Sequence, residues 1–242
     1  MIAAIVQARM SSTRLPGKVM APILGEPMIV RQLERIRRAR TLTKVIVATS
    51  AAPSDDPLAG VLAARGFPVY RGDLYDVLGR FAGAATFAGA PDYVVRLTAD
   101  FPLIDPGLID EAVRLALASG ADYTGNAERR TYADGLDVEV IRVAALRAAA
   151  AEALDAHDRE HVTAFIRRQP ERFSAAHLTQ TRDESAMRWT VDQCADFMFV
   201  RQVYEALYPT HPEFTARDVH ALLAERPDLA AHGGVPLKKA AA

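Results

Sequence analysis

Cysteine is nearly absent: one residue, Cys194, stands in 242. No internal disulfide is possible, and that usage fits a reducing compartment. A net charge is also lacking, with 29 Lys plus Arg against 30 Asp plus Glu. No global field steers such a chain to nucleic acid or to an anionic membrane, so any polyanion site has to be local. There is no run of about 20 apolar residues to span a bilayer. The apolar start, Met1 to Val6, is interrupted by Gln7 and Arg9 before it reaches the length of a secretory h-region. The expected location is therefore cytoplasmic. What the chain does have is enough length and apolar content, 50% of residues, to bury a substantial core.

Two periods alternate through the first half. Ile2 to Val6, Val45 to Thr49, Phe67 to Tyr70 and Tyr93 to Leu97 are short apolar runs that read as buried strands. Between them, Pro27 to Arg40 places Ile29, Leu33 and Ile36 on one helical face, with Arg31, Glu34, Arg35 and Arg38 outside it. Asp56-Pro57 reads as a cap and first-turn proline, with Gly66 as the stop. Asp105-Pro106 opens a further helix that closes at Gly120. Strands alternating with helices predict right-handed crossovers and a mainly parallel sheet, an α/β three-layer sandwich. Beyond Asp122 the rhythm changes. Leu136 to Ile141, Phe173 to Thr179 and Met187 to Val191 are strand candidates, with helices expected at 158–168, 193–208 and 215–225. Trp189, Phe199, Met198 and Cys194 read as packing residues. The expected organisation is one domain over 1–230: a nucleotide-binding half at 1–121, a small inserted lobe at 122–190, closing helices at 191–230 and a tail at 231–242.

Ligands of open α/β sheets gather at the carboxyl ends of strands. After the first strand comes Gln7-Ala8-Arg9-Met10-Ser11-Ser12-Thr13-Arg14-Leu15-Pro16-Gly17-Lys18. Its cations, hydroxyls and Pro-Gly turn suit a triphosphate, although a solvated basic loop has the same composition. A P-loop is excluded because Val19 follows Lys18, and no G-x-G-x-x-G follows any strand. Asp100 ends the fourth strand, and Asp192 ends the segment Trp189-Thr190-Val191-Asp192. Either acid has a plain reading, Asp100 in an ion pair and Asp192 as a helix cap. Together they can hold Mg2+, which takes one or two protein carboxylates plus phosphate oxygens and water.

The ordered series of these segments resembles the cytidylyltransferases that activate acidic sugars, such as the enzymes making CMP-Kdo and CMP-sialic acid. The spore-coat polysaccharide biosynthesis protein F branch is the nearest match. The resemblance is carried by Ile5 to Arg9 with Ser12 to Lys18, Arg71-Gly72-Asp73 with Asp76 to Leu78, and Arg96 to Asp100 with Pro102 to Ile104. It continues through Gly135 to Glu139, Arg159 to Val162, and Thr190 to Asp192. It implies a Rossmann-like nucleotide-diphospho-sugar transferase fold. Arg14 and Lys18 become the catalytic cations on the triphosphate, and Asp100 and Asp192 the metal aspartates for Mg2+. The nucleotide pocket is assigned Gln7, Ala8, Arg9, Met10, Ser12, Arg71, Asp73, Arg80 and Thr98. In the Kdo enzymes a glutamine stands at the position of Thr98, so the resemblance leaves the base open between cytosine and others. Asp137, Glu139, Glu160, His161 and Arg188 are the sugar-side candidates, with Arg188 the candidate for a substrate carboxylate. The implied partners are CTP or another nucleoside triphosphate and a sugar, in a homodimer built through the lobe.

His157-Asp158-Arg159-Glu160-His161 also spells H-x-x-E-H, the inverted zincin pattern. Reading Asp158 as a helix cap leaves His157 outside the helix and argues against zinc. A glycosyltransferase of the same fold would normally show Asp-x-Asp at a strand end; here Asp100 is followed by Phe101-Pro102. A nucleotide-binding regulator without turnover is the remaining alternative, opposed by the retained Arg14, Lys18, Asp100 and Asp192.

Overall fold

The structure is a computed structural model that describes residues 1–233. Its elements begin with β1 (Ile2–Gln7), a short hairpin of β2 (Pro22–Ile23) and β3 (Glu26–Pro27), α1 (Met28–Ile36) and β4 (Lys44–Ser50). Next come α2 (Asp56–Ala64), β5 (Val69–Gly72), α3 (Val77–Phe87), β6 (Tyr93–Thr98) and α4 (Pro106–Ser119). The chain continues through β7 (Tyr123–Gly125), β8 (Glu139–Arg142), α5 (Val143–Glu152), α6 (Ala156–Glu160), α7 (Ala164–Arg167) and β9 (Ala175–His177). It closes with α8 (Cys194–Leu207), α9 (Ala216–Glu225) and α10 (Pro227–Gly233).

Seven strands form one sheet in the order β5-β4-β1-β6-β8-β7-β9. Only β8 runs against the rest: it pairs antiparallel with both β6 and β7, while the other pairings are parallel. Side chains of β1 alternate between the faces. Ala4 and Val6 join the cluster that contains residues of α1, α4 and α8, and Ile5 joins the one that contains residues of α3 and α5. Both faces are covered, which is why β1 reads as an unbroken apolar run. This is the expected α/β three-layer sandwich. The chain places β4 and β5 on one side of β1 and β6 on the other, so the order reverses at the carboxyl ends of β1 and β6.

Several local expectations are corrected. Arg31 and Arg35 are buried, not outside the apolar face, and Arg35 is 2% exposed. The Arg35 guanidinium donates to the carbonyls of Ile104 (2.8 Å), Phe214 (3.0 Å) and Leu103 (3.4 Å), which satisfies a charge that periodicity assigned to water. The cap of α2 is Asp55, with Asp56 already inside the helix. The expected helix at 158–168 is two short helices, because Val162 adopts a left-handed φ of 51° between them. Asp155, not Asp158, caps α6, so His157 is inside it; Asp158 is buried against Arg168 at 2.5 Å. The third strand starts at Val69 and that at 136–141 starts at Glu139, and the short β7 had no counterpart in the sequence reading. Met187 to Val191 is no strand and makes one bridge, Asp134 to Arg188. Cys194 is exposed, and so is Met198, whereas Trp189 and Phe199 are buried as expected. Of the expected tail, 231–233 belong to α10, and the rest lies outside the described residues. Among the described residues no helix is long and apolar enough to cross a membrane.

Candidate functional site

The basic loop is held from below by one buried carboxylate. Asp55 accepts hydrogen bonds from the Met10 N–H (2.7 Å), the Thr49 hydroxyl (3.0 Å), and the Ser50 N–H (3.0 Å) and hydroxyl (2.5 Å). Burial alone would raise its pKa, but the hydrogen bonds from Ser50 and Met10 hold it below the ordinary value. The loop closes on itself through the Gly17 N–H to the Met10 carbonyl (2.9 Å). Gly17 has φ of 73°, a left-handed turn that glycine takes without strain, and it directs Lys18 back under the sheet edge.

Lys18 is the centre of the arrangement. Its Nζ donates to the Val191 carbonyl (2.6 Å), Asp192 Oδ1 (3.2 Å) and Asp100 Oδ2 (3.4 Å). The two aspartates are brought together by backbone: the Val191 N–H donates to the Asp100 carbonyl at 2.8 Å. Arg14, whose side chain is 63% exposed, reaches Asp192 Oδ1 at 2.8 Å. Asp192 is not a helix cap. Gln193 caps α8 in a reciprocal capping box with Asp196, so the Asp192 carboxylate has no capping role.

Two adjoining cavities open at this point. The first, about 240 Å3, is lined by Gln7, Ala8, Arg9, Ser12, Arg14, Lys18, Arg80, Thr98, Asp100, Glu160, His161 and Asp192 among others. Most of the nucleotide-side candidates therefore meet in one place. Three do not line it. Met10 packs its side chain against the core, Arg71 pairs with Asp56 (2.6 Å), and Asp73 accepts the Tyr75 and Asp76 N–H groups (2.7 and 2.8 Å). Arg80 is buried and holds the same loop, donating to the Asp73 carbonyl at 2.5 Å. Burial and the nearby Arg9 charge lower its pKa. The Arg80 Nε and the Thr98 hydroxyl are buried without partners, hydrogen-bonding capacity left for a ligand.

The second cavity, about 460 Å3, shares Arg14, Arg96, Thr98, Asp100, His161 and Asp192 with the first and adds Arg130, Asp134, Asp137, Glu139, Thr163 and Arg167. Glu139 is buried in an ion pair with Arg96 and accepts from the Tyr123 hydroxyl (2.9 Å) and the Thr163 hydroxyl (2.8 Å). Burial would raise its carboxyl, but the Arg96 charge and the Thr163 bond outweigh it and leave the pKa lowered. Asp137 goes the other way: burial, with Asp134 nearby, raises it to about 6 despite Arg130 at 3.0 Å. Burial and the neighbouring His157 lower the His161 imidazole. Arg188 lines neither cavity. Arg96, Arg130, Asp134, Arg167 and Asp196 are not among the site residues read from the sequence. Arg96 lies in the segment Arg96 to Asp100 that carries the resemblance and Asp196 is the acid at the third position of a helix, whereas the other three carry no local signal.

The arrangement is suited to a polyphosphate and a divalent cation. Asp100 Oδ1 is buried with no hydrogen-bond partner, and a carboxylate oxygen in that state is a ready cation ligand. No group of three or more His, Cys, Asp or Glu able to hold a metal occurs among the described residues. A cation here would thus rest on Asp100 and Asp192, with phosphate and water completing its shell. The rings of His157, in α6, and His161, just after it, lie 4.3 Å apart.

Comparison with known proteins agrees with this geometry. The sequence profile described as cytidylyltransferase matches residues 3–215. The chain is 32% identical to the spore coat polysaccharide biosynthesis protein SpsF of Bacillus subtilis, over 93% of this chain and 95% of that one. It is 38% identical to a 3-deoxy-manno-octulosonate cytidylyltransferase of Geobacter sulfurreducens, over 59% of this chain and 56% of that one. Among solved structures, a cytidylyltransferase from Leptospira borgpetersenii superposes with a TM-score of 0.89 at 29% identity, covering 94% of this chain and 95% of that one. The chain belongs to the cytidylyltransferase family.

Proposed function

We propose that the protein transfers CMP from CTP to a hydroxyl of an acidic or related sugar, with Mg2+, and releases pyrophosphate in the making of a cell-surface polysaccharide. The observation that carries this reading is Lys18 Nζ set between Asp100 and Asp192 at the mouth of the nucleotide cavity. Gln7, the Ala8 backbone, Arg9, Thr98 and Arg80 border the space for the nucleoside, and Arg14 and Lys18 face the phosphates. The second cavity, lined by Asp137, Glu139 and His161, receives the sugar. A sugar oxygen forms a bond to the α-phosphorus, the bond from that phosphorus to the bridging oxygen breaks, and the hydroxyl proton passes to water. Bound Mg2+ would lower the charge barrier between hydroxyl and α-phosphate. The protein's share is alignment and charge: Arg14 and Lys18 stabilise the pyrophosphate as it leaves. A cytoplasmic homodimer joined through residues 122–190 completes the proposal, and a monomeric mass by light scattering would remove that part.

The test is pyrophosphate release with each of the four nucleoside triphosphates against a panel of sugar acids and neutral sugars. CTP with a sugar acid is expected to give the signal. Pyrophosphate release with none of the panel, or turnover only of a nucleotide sugar with a nucleoside mono- or diphosphate as leaving group, would sink the assignment.

A further inference from the structure

Arg188 was expected at the substrate, and the structure turns it the other way. Its Nη2 donates to Asp192 Oδ2 (3.0 Å) and Asp196 Oδ2 (3.1 Å), its Nε to Asp196 Oδ1 (3.0 Å), and its Nη1 to Asp134 Oδ2 (3.4 Å). A guanidinium has five N–H donors, and these contacts engage four. A substrate carboxylate could not pair with both arms of the fork without displacing an existing contact. The side chain is also absent from the walls of both cavities. Two further devices converge on the same spot. Asp196 accepts from the Asp192 and Gln193 N–H groups, both at 2.8 Å, which fixes the backbone that carries Asp192. Gly135, at φ of 112°, lets residues 134–136 pass so near that a Cβ there would lie 2.5 Å from the Thr190 nitrogen. That approach brings Asp134 alongside Arg188.

We propose that Arg188 is a positioning residue for Asp192: its planar fork holds Oδ2 against Asp196, so that Oδ1 is presented to the Asp100 side, where a divalent cation would sit. The inference rests on the reading of Asp100 and Asp192 as a cation-holding pair. Lys18 Nζ reaches both Asp192 Oδ1 (3.2 Å) and Asp100 Oδ2 (3.4 Å), so the two carboxylates face one small volume, and Asp100 Oδ1 is buried beside it without a partner. A single-point cation cannot replace a fork that spans two carboxylates.

The experiment follows Mn2+ binding by electron paramagnetic resonance, with CTP and no acceptor, in wild type, Arg188→Lys, Arg188→Ala and Asp192→Asn. CTP binding in EDTA and thermal melting are recorded alongside. Wild type is expected to bind Mn2+ in a CTP-dependent way. Arg188→Lys should weaken that binding about tenfold or more, as Asp192→Asn does, with CTP affinity in EDTA within about twofold and a cooperative melt. Wild-type Mn2+ affinity in Arg188→Lys and Arg188→Ala would overturn the inference and leave the cation pair standing. A failure of both variants to fold, or an equal loss of CTP affinity in EDTA, would also overturn it and assign Arg188 to structure alone. No Mn2+ binding by wild type would overturn the cation pair itself, and the inference with it.

Discussion

On the nucleotide side of the cleft, Gln7, Ala8, Arg9, Ser12, Arg14 and Lys18 come from one stretch of chain, 7–18. On the sugar side, Arg96, Arg130, Asp137, Glu139 and Arg167 come from segments separated by helices and loops. The first side is built by a strand end and a turn, whose geometry is local. The second is built by ion pairs: Arg96 with Glu139 and Arg188 with Asp134 join distant segments, and Arg130 with Asp134 and Asp137 and Arg188 with Asp192 and Asp196 brace a single one. The lesson is that the first wall is contiguous in sequence and tied elsewhere mainly through Asp55, Asp100 and Asp192, whereas the second is assembled from several segments whose partners must be present together. Breaking a buried pair leaves an uncompensated charge, which is worse than never having had the pair.

The contrast can be broken first at Glu139. Glu139→Gln leaves Arg96 unpaired in the interior and is expected to cost about 3–5 kcal/mol of stability by urea denaturation. The pH dependence should agree in sign. The folded carboxyl is lowered, so its contribution is present above the ordinary value of 4.5 and is lost as pH falls through the folded value. Lys18→Ala, or Asp100→Ala, addresses the other wall: both should keep the fold by circular dichroism and lose roughly a hundred- to a thousand-fold in turnover by pyrophosphate release. Wild-type turnover in either would remove the catalytic assignment.

Asp137 sharpens the comparison within one cavity. Its pKa is raised from 3.8 to about 6, so the folded state favours the proton and gains stability as pH falls through about 6 toward 3.8. Asp137→Asn should therefore be more stable than wild type at pH 7.5 by about 1–3 kcal/mol, a difference that fades below pH 4. Melting curves across pH decide it; a wild-type slope of the same sign as that from Glu139 would refute the account. The smallest effect is expected at Arg71. Its surface pair with Asp56 should be worth at most about 1 kcal/mol. Arg71→Ala should leave CTP binding by calorimetry unchanged, whereas Arg80→Ala should weaken it.

The parallel half of the fold was legible because its signals are local. Apolar runs marked the strands, and Asp105 and Gly120 marked both ends of α4 as the structure has them. The loop 7–18 and Asp100, just past β6, were legible for the same reason, whereas the strand expected before Asp192 is absent from the structure. What escaped was decided by contacts far along the chain. Arg35 is buried because carbonyls 68 to 179 residues away accept its protons. The break between α6 and α7 falls at Val162, a β-branched residue with no local preference for a left-handed φ. Arg188, read from the sequence as a partner for a substrate carboxylate, is instead held by Asp134, Asp192 and Asp196, and nothing in Arg188 to Asp192 records that Asp134 and Asp196 arrive there.

Lys18 and Arg14 bear on how a ligand enters. Both cations already face Asp192 Oδ1, and Lys18 also faces Asp100. A triphosphate arriving here would therefore find these two cations already paired. It would exchange places with carboxylates, which would then be open to a divalent counter-ion. Because charges swap partners inside the cleft, few ions are taken from or returned to the solvent. Added salt should then weaken nucleotide binding less than it would for a loop of free cations.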